Sequence, residues 1–508
     1  MTPSLKDLGN QFYTKGDYDK AIELYKQGIQ EILDDNNIVN EDSNNQLSLI
    51  TSNLSISYYQ LKRYQESLEW ALKSIEYNPK SAKPYLRAGD AYIELSNYKD
   101  AKEKYLLCIK NINTNDETAK NLLNQASNSL QNAKMKQFYQ PILEGSPALY
   151  DRVEIKYLDS IREKALFAKV PIQKGEIIFS DLPFIHQLSV DSFKLHHNDI
   201  CNHCIKFIDS SAAIIKCNNT NGCKYQYCSE KCKLESFSYH NQSCMNNSDL
   251  VLSSNHPISK YRAMVENVPT STQLLLVESL ISMISHLLKT KQAKNCNLAL
   301  GTITHLKRGP LMAQQSSFNG KNLEDLQKQY QPLLSLLEDA YGLKLKEHLD
   351  DQLLKNEFKK YTNFKIIVFS VDFYDNLLGM INFNSTSTVV KSGKKIEIQV
   401  PVTTTGKGKK SNNQVKTTTK TIENSCWGVG LFPIFSCMNH SCFPNVEISN
   451  EIIDGVTSVR MVVKAKKNIP AGSEILHSYC DETLSNKERK DILFSQYGFK
   501  CTCNKCSK

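Results

Sequence analysis

Over the first 135 residues, small and apolar positions recur at helical spacing in three blocks that can be laid over one another. Aligned on their small residues, they read Leu8-Gly9-x2-Phe12 with Ala21-x3-Tyr25, Leu54-Ser55-x2-Tyr58 with Ser67-x3-Ala71 and Pro79, and Ala88-Gly89-x2-Tyr92 with Ala101-x3-Tyr105. The last two blocks are 34 residues apart, and an Asn/Asp-rich stretch around Asp34–Asn45 sets off the first. Asp116–Lys134 has the pattern of a closing helix. The period then changes. Val153–Leu158, Ala165–Lys169 and Glu176–Ser180 read as short strands, with Pro171 and Lys174-Gly175 at turns. Thr270–Thr290 predicts a strongly apolar helix, and Leu323–Phe358 continues the helical pattern. Strands return at Glu447–Ser449, Ser458–Ala465 and Glu474–Leu476. No apolar run reaches the ~18 residues a membrane span needs. The opening residues MTPSLKDLGN lack the apolar segment of a secretion signal, so a cytoplasmic or nuclear protein is expected.

A chain of 508 residues exceeds a single core and implies three or so domains. The net charge of +9 is concentrated. Between Val390 and Thr421, Lys391, Lys394, Lys395, Lys407, Lys409, Lys410, Lys416 and Lys420 face one acid, Glu397. This Thr/Lys/Gly/Ser-rich segment reads as a disordered surface loop, with a localisation signal as its second reading. A charge excess gathered in one such segment argues against a nucleic-acid groove. Sixteen cysteines without a secretion signal point to metal rather than disulfides. Eleven fall into two groups, which leaves Cys108, Cys296, Cys426, Cys437 and Cys480 as buried or incidental thiols.

The three blocks resemble the tetratricopeptide repeat, whose paired helices need small residues where they cross and aromatics in the groove. Lys6 and Asn10, four residues apart, share a helix face, as do Lys83 and Arg87, with Asn53 at the equivalent face of the middle block. This set resembles the dicarboxylate clamp of chaperone-binding tetratricopeptide domains. The resemblance implies binding of heat-shock chaperone tails ending Glu-Glu-Val-Asp. The alternative is a solvated helix face.

The first cysteine group runs Cys201-x2-Cys204, then Cys217-x5-Cys223-x4-Cys228-x3-Cys232-x7-His240-x3-Cys244. Eight soft ligands suit two four-coordinate zinc ions, a single ion with spare cysteines being the alternative. Spacing alone leaves the pairing open. The order, with Tyr227-Cys228-Ser229, resembles the MYND finger. That resemblance implies Cys201, Cys204, Cys228 and Cys232 on one zinc, and Cys217, Cys223, His240 and Cys244 on the other. Two roles stay open for the finger: binding Pro-rich peptide partners or shaping its host domain. His203, between two ligands, is expected to face solvent.

Further on stand Asn439-His440-Ser441-Cys442-Phe443-Pro444-Asn445, then Gly472-Ser473-Glu474-Ile475-Leu476-His477-Ser478-Tyr479, then Tyr497-Gly498-Phe499-Lys500-Cys501-x-Cys503-x2-Cys506. This succession resembles the SET lysine methyltransferases. With a finger and helices inserted before it, the region from Val153 onward resembles the SET-and-MYND family, and the N-terminal repeats point to the branch that carries them. The resemblance implies transfer of a methyl group from S-adenosylmethionine to a lysine of a protein. It implies a third zinc on Cys442, Cys501, Cys503 and Cys506, a catalytic Tyr479, and a lysine channel lined by Tyr497 and Phe499. For cofactor binding it implies Asn384, Asn439, His440, Tyr479 and Phe499. One departure stands out. The family's Gly-x-Gly loop is here Glu163-Lys164-Ala165, whose side chains restrict the backbone, while Arg162 and Lys164 supply charge for the cofactor's carboxylate. A catalytically weak adaptor is therefore the second reading. The expected architecture is multidomain α+β. Repeats and a closing helix occupy 1–135, with parts of the SET fold at 150–200 and 363–480. The finger lies at 201–244, a helical insert at 255–362, the disordered basic loop at 386–425 and a zinc-binding tail at 481–508.

Overall fold

The computed structural model describes residues 3–35, 40–112, 116–159, 162–196, 198–208, 213–218, 223–244, 256–266, 268, 271–290, 323–341, 371–401, 417–453, 456–503 and 505–506. Its contacts divide the chain into two units, residues 1–150 with 155–165, and residues 151–154 with 166–508.

The first unit is helical. The helices α1 (Leu5–Thr14), α2 (Tyr18–Asp35), α3 (Glu41–Gln60), α4 (Tyr64–Tyr77), α5 (Ala82–Glu94) and α6 (Tyr98–Lys110) pair as three antiparallel hairpins, followed by α7 (Glu117–Glu144) and a short turn α8 (Pro147–Tyr150). The small residues sit where helices touch. A Cβ added to Gly9 would lie 2.5 Å from the Tyr25 ring, and one on Gly89 would lie 2.5 Å from Tyr105. The middle hairpin replaces that contact with a polar one, Ser55 Oγ donating to the Ser67 carbonyl at 2.7 Å. The turn inside each hairpin needs one residue in the left-handed region, and Gly16, Lys62 and Ser96 supply it with φ of 82°, 60° and 58°. Side-chain caps from Ser4, Asn40, Asn97 and Asp116 start α1, α3, α6 and α7. They satisfy amides that have no partner in the first helical turn. The closing helix runs ten residues past the predicted Lys134 because buried Met135, Tyr139 and Leu143 extend its apolar face.

The second unit carries short sheets around a helical core. Its elements are β3 (Ile177–Asp181), β4 (Ile185–Leu188), α9 (Val190–His196), β5 (Ile215–Lys216), β6 (Gln226–Tyr227), α10 (Glu230–Ser243), α11 (Pro257–Val265), α12 (Ser271–Lys289), α13 (Leu323–Tyr341) and α14 (Val371–Asn384). There follow β7 (Ser385–Pro401), β8 (Thr417–Leu431), β9 (Asn439–His440), β10 (Val446–Ile453), β11 (Val456–Ala465), β12 (Leu476–His477) and α15 (Asn486–Tyr497). The preceding strands β1 (Val153–Tyr157) and β2 (Lys164–Ala168) lie where the two units exchange chain. Sheets form in the orders β10-β11-β3, β4-β8-β7, β12-β9 and β5-β6. Helix α12 is buried by α11, α13 and α14, with Leu276, Val277, Leu280 and Leu337 fully enclosed. Its one acid, Glu278, is tolerated there because Arg262 and the Tyr341 hydroxyl bond its carboxylate at 2.7 and 3.2 Å. Residues 342–358 of the longer predicted helix lie outside the described residues.

The basic segment expected as a disordered loop is corrected by the structure. Residues 385–401 and 417–431 form the antiparallel hairpin β7-β8, in register from Ser385↔Leu431 to Pro401↔Thr417 with one irregularity after Lys391. The lysines give the segment the charge of a solvated loop. Thr, Val and Ile between them favour a pleated strand, and that preference decides the conformation. Residues 402–416, with Lys407, Lys409, Lys410 and Lys416, lie outside the described residues.

Candidate active site, metal clusters and peptide groove

The segment Asn439–Asn445 is threaded against the strand that precedes Tyr479. Strands β9 and β12 pair in parallel, Leu476 with Asn439 and His477 with His440. Ser441 donates its amide to the His477 carbonyl at 2.8 Å. Asn445 closes the crossing, its Nδ2 donating to the Glu474 carbonyl at 2.8 Å while its Oδ1 accepts from the Leu476 amide at 2.7 Å. Asn439 Nδ2 donates to Glu474 at 2.8 Å. From the other side, buried Asp181 at the end of β3 accepts from the amides of Ile434 and Phe435, both at 2.8 Å. Burial pushes that carboxyl up to about 6, against the pull of the amides.

These bonds shape a cavity of about 270 Å³ lined by Asn384, Ser436, Met438, His477, Tyr479 and Tyr497, among others. The Tyr479 hydroxyl donates to the Met438 carbonyl at 2.9 Å, and burial raises its phenol well above the ordinary range. Its ring lies 4.7 Å from Tyr497, 4.8 Å from His477 and 6.4 Å from Phe499. Burial also holds His440 and His477 neutral, their basicity pushed down to about 4 and about 3. The structure thus brings Asn384, Tyr479 and Tyr497 to one cavity, with Phe499 against the Tyr479 ring. Both nitrogens of His440 are used by the protein itself: Nδ1 accepts from the Tyr479 amide at 3.0 Å, and Nε2 lies 3.1 Å from Cys442 Sγ.

The cysteines assemble as three clusters: Cys201, Cys204, Cys228 and Cys232; Cys217, Cys223, His240 and Cys244; and Cys442, Cys501, Cys503 and Cys506. Within each, all ligand atoms lie within 4.8 Å of one another. A tetrahedral zinc with ~2.3 Å bonds puts its sulfurs ~3.8 Å apart. Cys204 and Cys228 are 3.6 Å apart, Cys228 and Cys232 3.6 Å, Cys217 and Cys244 3.3 Å, and Cys442 and Cys501 4.0 Å. The donor sets fit zinc, and four protein ligands would leave no position for water on a bound ion. His203 is not the solvent-facing residue the sequence suggested. Tyr239 and Glu235 hold it at 2.9 and 3.0 Å. Cys108, Cys426 and Cys437 are buried outside the clusters, and Cys480 is half-buried. Cys296 lies outside the described residues.

In the helical unit, Asn10 Oδ1 accepts from the Tyr25 hydroxyl at 2.7 Å and from Asn53 Nδ2 at 3.0 Å. Arg87 is only 8% exposed, and its Nε and Nη1 have no hydrogen-bond partner. Burial lowers its guanidinium to about 10, which leaves it charged at neutral pH, and burial also lowers Lys83. Lys6 faces Asp7 at 3.7 Å in an exposed pair.

A SET-domain family model matches residues 278–480, and a tetratricopeptide-repeat model matches residues 82–115. This chain carries a SET domain and a tetratricopeptide repeat. The protein-lysine N-trimethyltransferase SMYD5 of Mus musculus is 24% identical over 399 residues, covering 70% of this chain and 86% of the relative. A SET and MYND domain-containing protein of Dictyostelium discoideum is 25% identical over 335 residues, covering 66% and 77%. Homologues of the SET domain are thus named protein-lysine methyltransferases. Among solved structures, the first tetratricopeptide domain of Spaghetti (RPAP3) bound to the HSP90 peptide SRMEEVD is 26% identical, covering 25% of this chain and 92% of that one, with a TM-score of 0.20.

Not every residue proposed for the SET cofactor site points the same way. Arg162 pairs with Asp159 at 2.9 Å. Lys164 is buried, and its Nζ donates to the Tyr139 hydroxyl at 3.0 Å while standing over that ring. Glu163, where the family has glycine, adopts φ 58°. Sequence reasoning passed over Asp181, Asn445 and His477. Asn445 and His477 sat inside the quoted motifs, so their neighbourhood was the signal. Asp181 had none, because only the fold brings β3 beneath Ile434 and Phe435.

Proposed function

We propose that this SET domain transfers methyl groups from S-adenosylmethionine to lysine side chains of proteins, with three structural zinc ions, and that the repeat groove holds the C-terminal carboxylate of a partner. The observation that carries the first part is the cavity beneath Tyr479. Its mixed lining of amide, hydroxyl and aromatic groups suits a ligand that joins amino-acid, sulfonium and nucleoside parts. When bound, S-adenosylmethionine supplies an electrophilic methyl group on sulfur. A lysine arrives as an ammonium of pKa ~10.4 and reacts only as the neutral amine. The aromatic faces of Tyr479 and Tyr497 attract the cation into the channel, and its burial there favours release of its proton to solvent water. Tyr479, anchored through its hydroxyl to Met438, holds the amine in line. Such orientation accounts for roughly 7–11 kcal/mol of barrier lowering when geometry is good.

The second part rests on Arg87, a buried guanidinium with two nitrogens lacking a partner. Lys83 acts on it electrostatically, Asn10 and Asn53 bond each other, and Lys6 lies on the first helix. This set suits a peptide end carrying two carboxylates, such as a Glu-Glu-Val-Asp tail of a heat-shock chaperone.

The test of the enzyme is calorimetric titration of the zinc-loaded chain with S-adenosylmethionine, together with transfer of labelled methyl to protein lysines. Wild type is expected to bind and transfer. Tyr479→Phe is expected to keep cofactor affinity within a few-fold and to lose nearly all transfer; normal turnover in that variant would remove Tyr479 from the mechanism. The departure at Glu163 favours a second reading, an adaptor without turnover, and absence of cofactor binding in wild type would select it.

A further inference from the structure

We infer that His440 is a positioning residue that ties metal occupancy at Cys442 to the placement of Tyr479. The inference rests on the proposed zinc at Cys442, Cys501, Cys503 and Cys506. An amide N–H can only donate, so the 3.0 Å contact from the Tyr479 amide makes His440 Nδ1 an acceptor. The ring proton therefore sits on Nε2. That N–H faces Cys442 Sγ at 3.1 Å, and with a metal-bound thiolate there it becomes a charge-assisted hydrogen bond.

Four thiolates on one divalent ion leave two negative charges in a partly buried setting. Partners that donate to the sulfurs offset them and orient the ligands. Here those donors are His440 on Cys442 and Arg489, which bonds Cys442 as well and whose Nη2 lies 3.9 Å from Cys506 Sγ. Arg489 does not reach the cavity lining through its described hydrogen bonds, whose other partner is the Leu484 carbonyl. His440 does, because its other nitrogen bonds the backbone of Tyr479 and its ring packs 5.2 Å from the Tyr479 ring and 5.8 Å from Phe499. A single imidazole thus spans the distance from a metal ligand to the tyrosine lining the cavity. Without an ordered thiolate, the ring loses the bond that fixes its rotation, and the Tyr479 amide loses its fixed acceptor.

Two substitutions separate the two ends of the ring. His440→Asn keeps an acceptor near Nδ1 and removes the donor to sulfur. His440→Gln keeps a donor near Nε2 and removes the acceptor. The readouts are release of zinc from the full-length loaded chain to a chromophoric chelator, with Cys442→Ser marking which phase belongs to this site, and hydrogen exchange of the Tyr479 amide. His440→Asn is expected to speed release of the third zinc by roughly 10- to 100-fold, the usual size of an outer-shell effect, while the two finger phases stay unchanged. His440→Gln is expected to hold that zinc near the wild-type rate while its Tyr479 amide exchanges faster. In wild type, removing the third zinc alone is expected to speed exchange of the same amide. Unchanged zinc release in His440→Asn, or an amide indifferent to zinc removal, overturns the inference. A wild type that never holds a third zinc overturns the metal assignment instead, which chelator release from the wild-type chain reveals before any variant is made.

Discussion

Glu163 shows how a single residue can be legible in kind and not in consequence. The sequence marks it as standing where a glycine belongs. The structure adds φ 58°, the left-handed region that L side chains enter at a cost of roughly 1–2 kcal/mol. Glu163→Gly is therefore expected to raise the unfolding midpoint in urea by the equivalent of about 1 kcal/mol, and an unchanged midpoint would remove strain from the account. Arg87 teaches the reverse lesson. Its spacing from Lys83 suggested an exposed cationic face, but it is buried, and a buried guanidinium with two unsatisfied nitrogens is unfavourable until an anion arrives. A Glu-Glu-Val-Asp peptide is expected to bind the chain near micromolar affinity, about −8 kcal/mol. Amidating its terminal carboxylate, or making Arg87→Ala, is expected to weaken binding at least tenfold, about 1.4 kcal/mol. Salt should weaken the wild-type complex more than the variant's. Equal anisotropy titrations for free and amidated peptides would remove Lys6, Asn10, Asn53, Lys83 and Arg87 from carboxylate binding.

At the scale of elements, the repeats were readable because each contact they make is local. Gly9 and Gly89 meet Tyr25 and Tyr105 within a single hairpin, so their spacing survives in the sequence. The zinc ligands were readable because their chemistry is rare and their order is specific. The β7-β8 hairpin was not, since its pairing joins residues such as Ser385 and Leu431 that no local pattern connects, and lysine content outweighed β-branching in the reading. The crossing at Asn445 was hidden for the same reason. The local contacts make opposite expectations for two alanine substitutions. Gly89→Ala would put a Cβ 2.5 Å from the Tyr105 ring and should destabilise the helical unit by about 1–3 kcal/mol. Gly28→Ala, inside α2 with its nearest neighbour at 3.4 Å, should stabilise it by up to about 1 kcal/mol through helix propensity. Thermal melts followed at 222 nm would show midpoints moving in opposite directions, and a shared direction would contradict the packing described here.

For the whole molecule, the two units differ in what holds them. The helical unit rests on apolar clusters around Tyr25, Leu54 and Tyr58, and around Tyr85, Tyr105 and Leu130, and no metal-ligand cluster lies among its described residues. All twelve clustered ligands, from Cys201 to Cys506, belong to the other unit. Because metal sites form with the fold around them, binding free energy there is folding free energy, and the tail bearing Tyr497 and Phe499 is held through Cys442 and its partners. Stripping the metal should therefore separate the two activities. After chelation, methyl transfer is expected to vanish and trypsin is expected to cut the tail after Lys500 far faster. The anisotropy titration of the Glu-Glu-Val-Asp peptide should stay within about twofold, which is about 0.4 kcal/mol. If chelation abolished peptide binding as well, the groove would depend on the metal-bearing unit, and the independence of the helical repeats would be lost. If instead transfer survived complete zinc removal, the clusters would be dispensable to the site, and the tail would owe its position to packing of Leu493 and Phe499 alone.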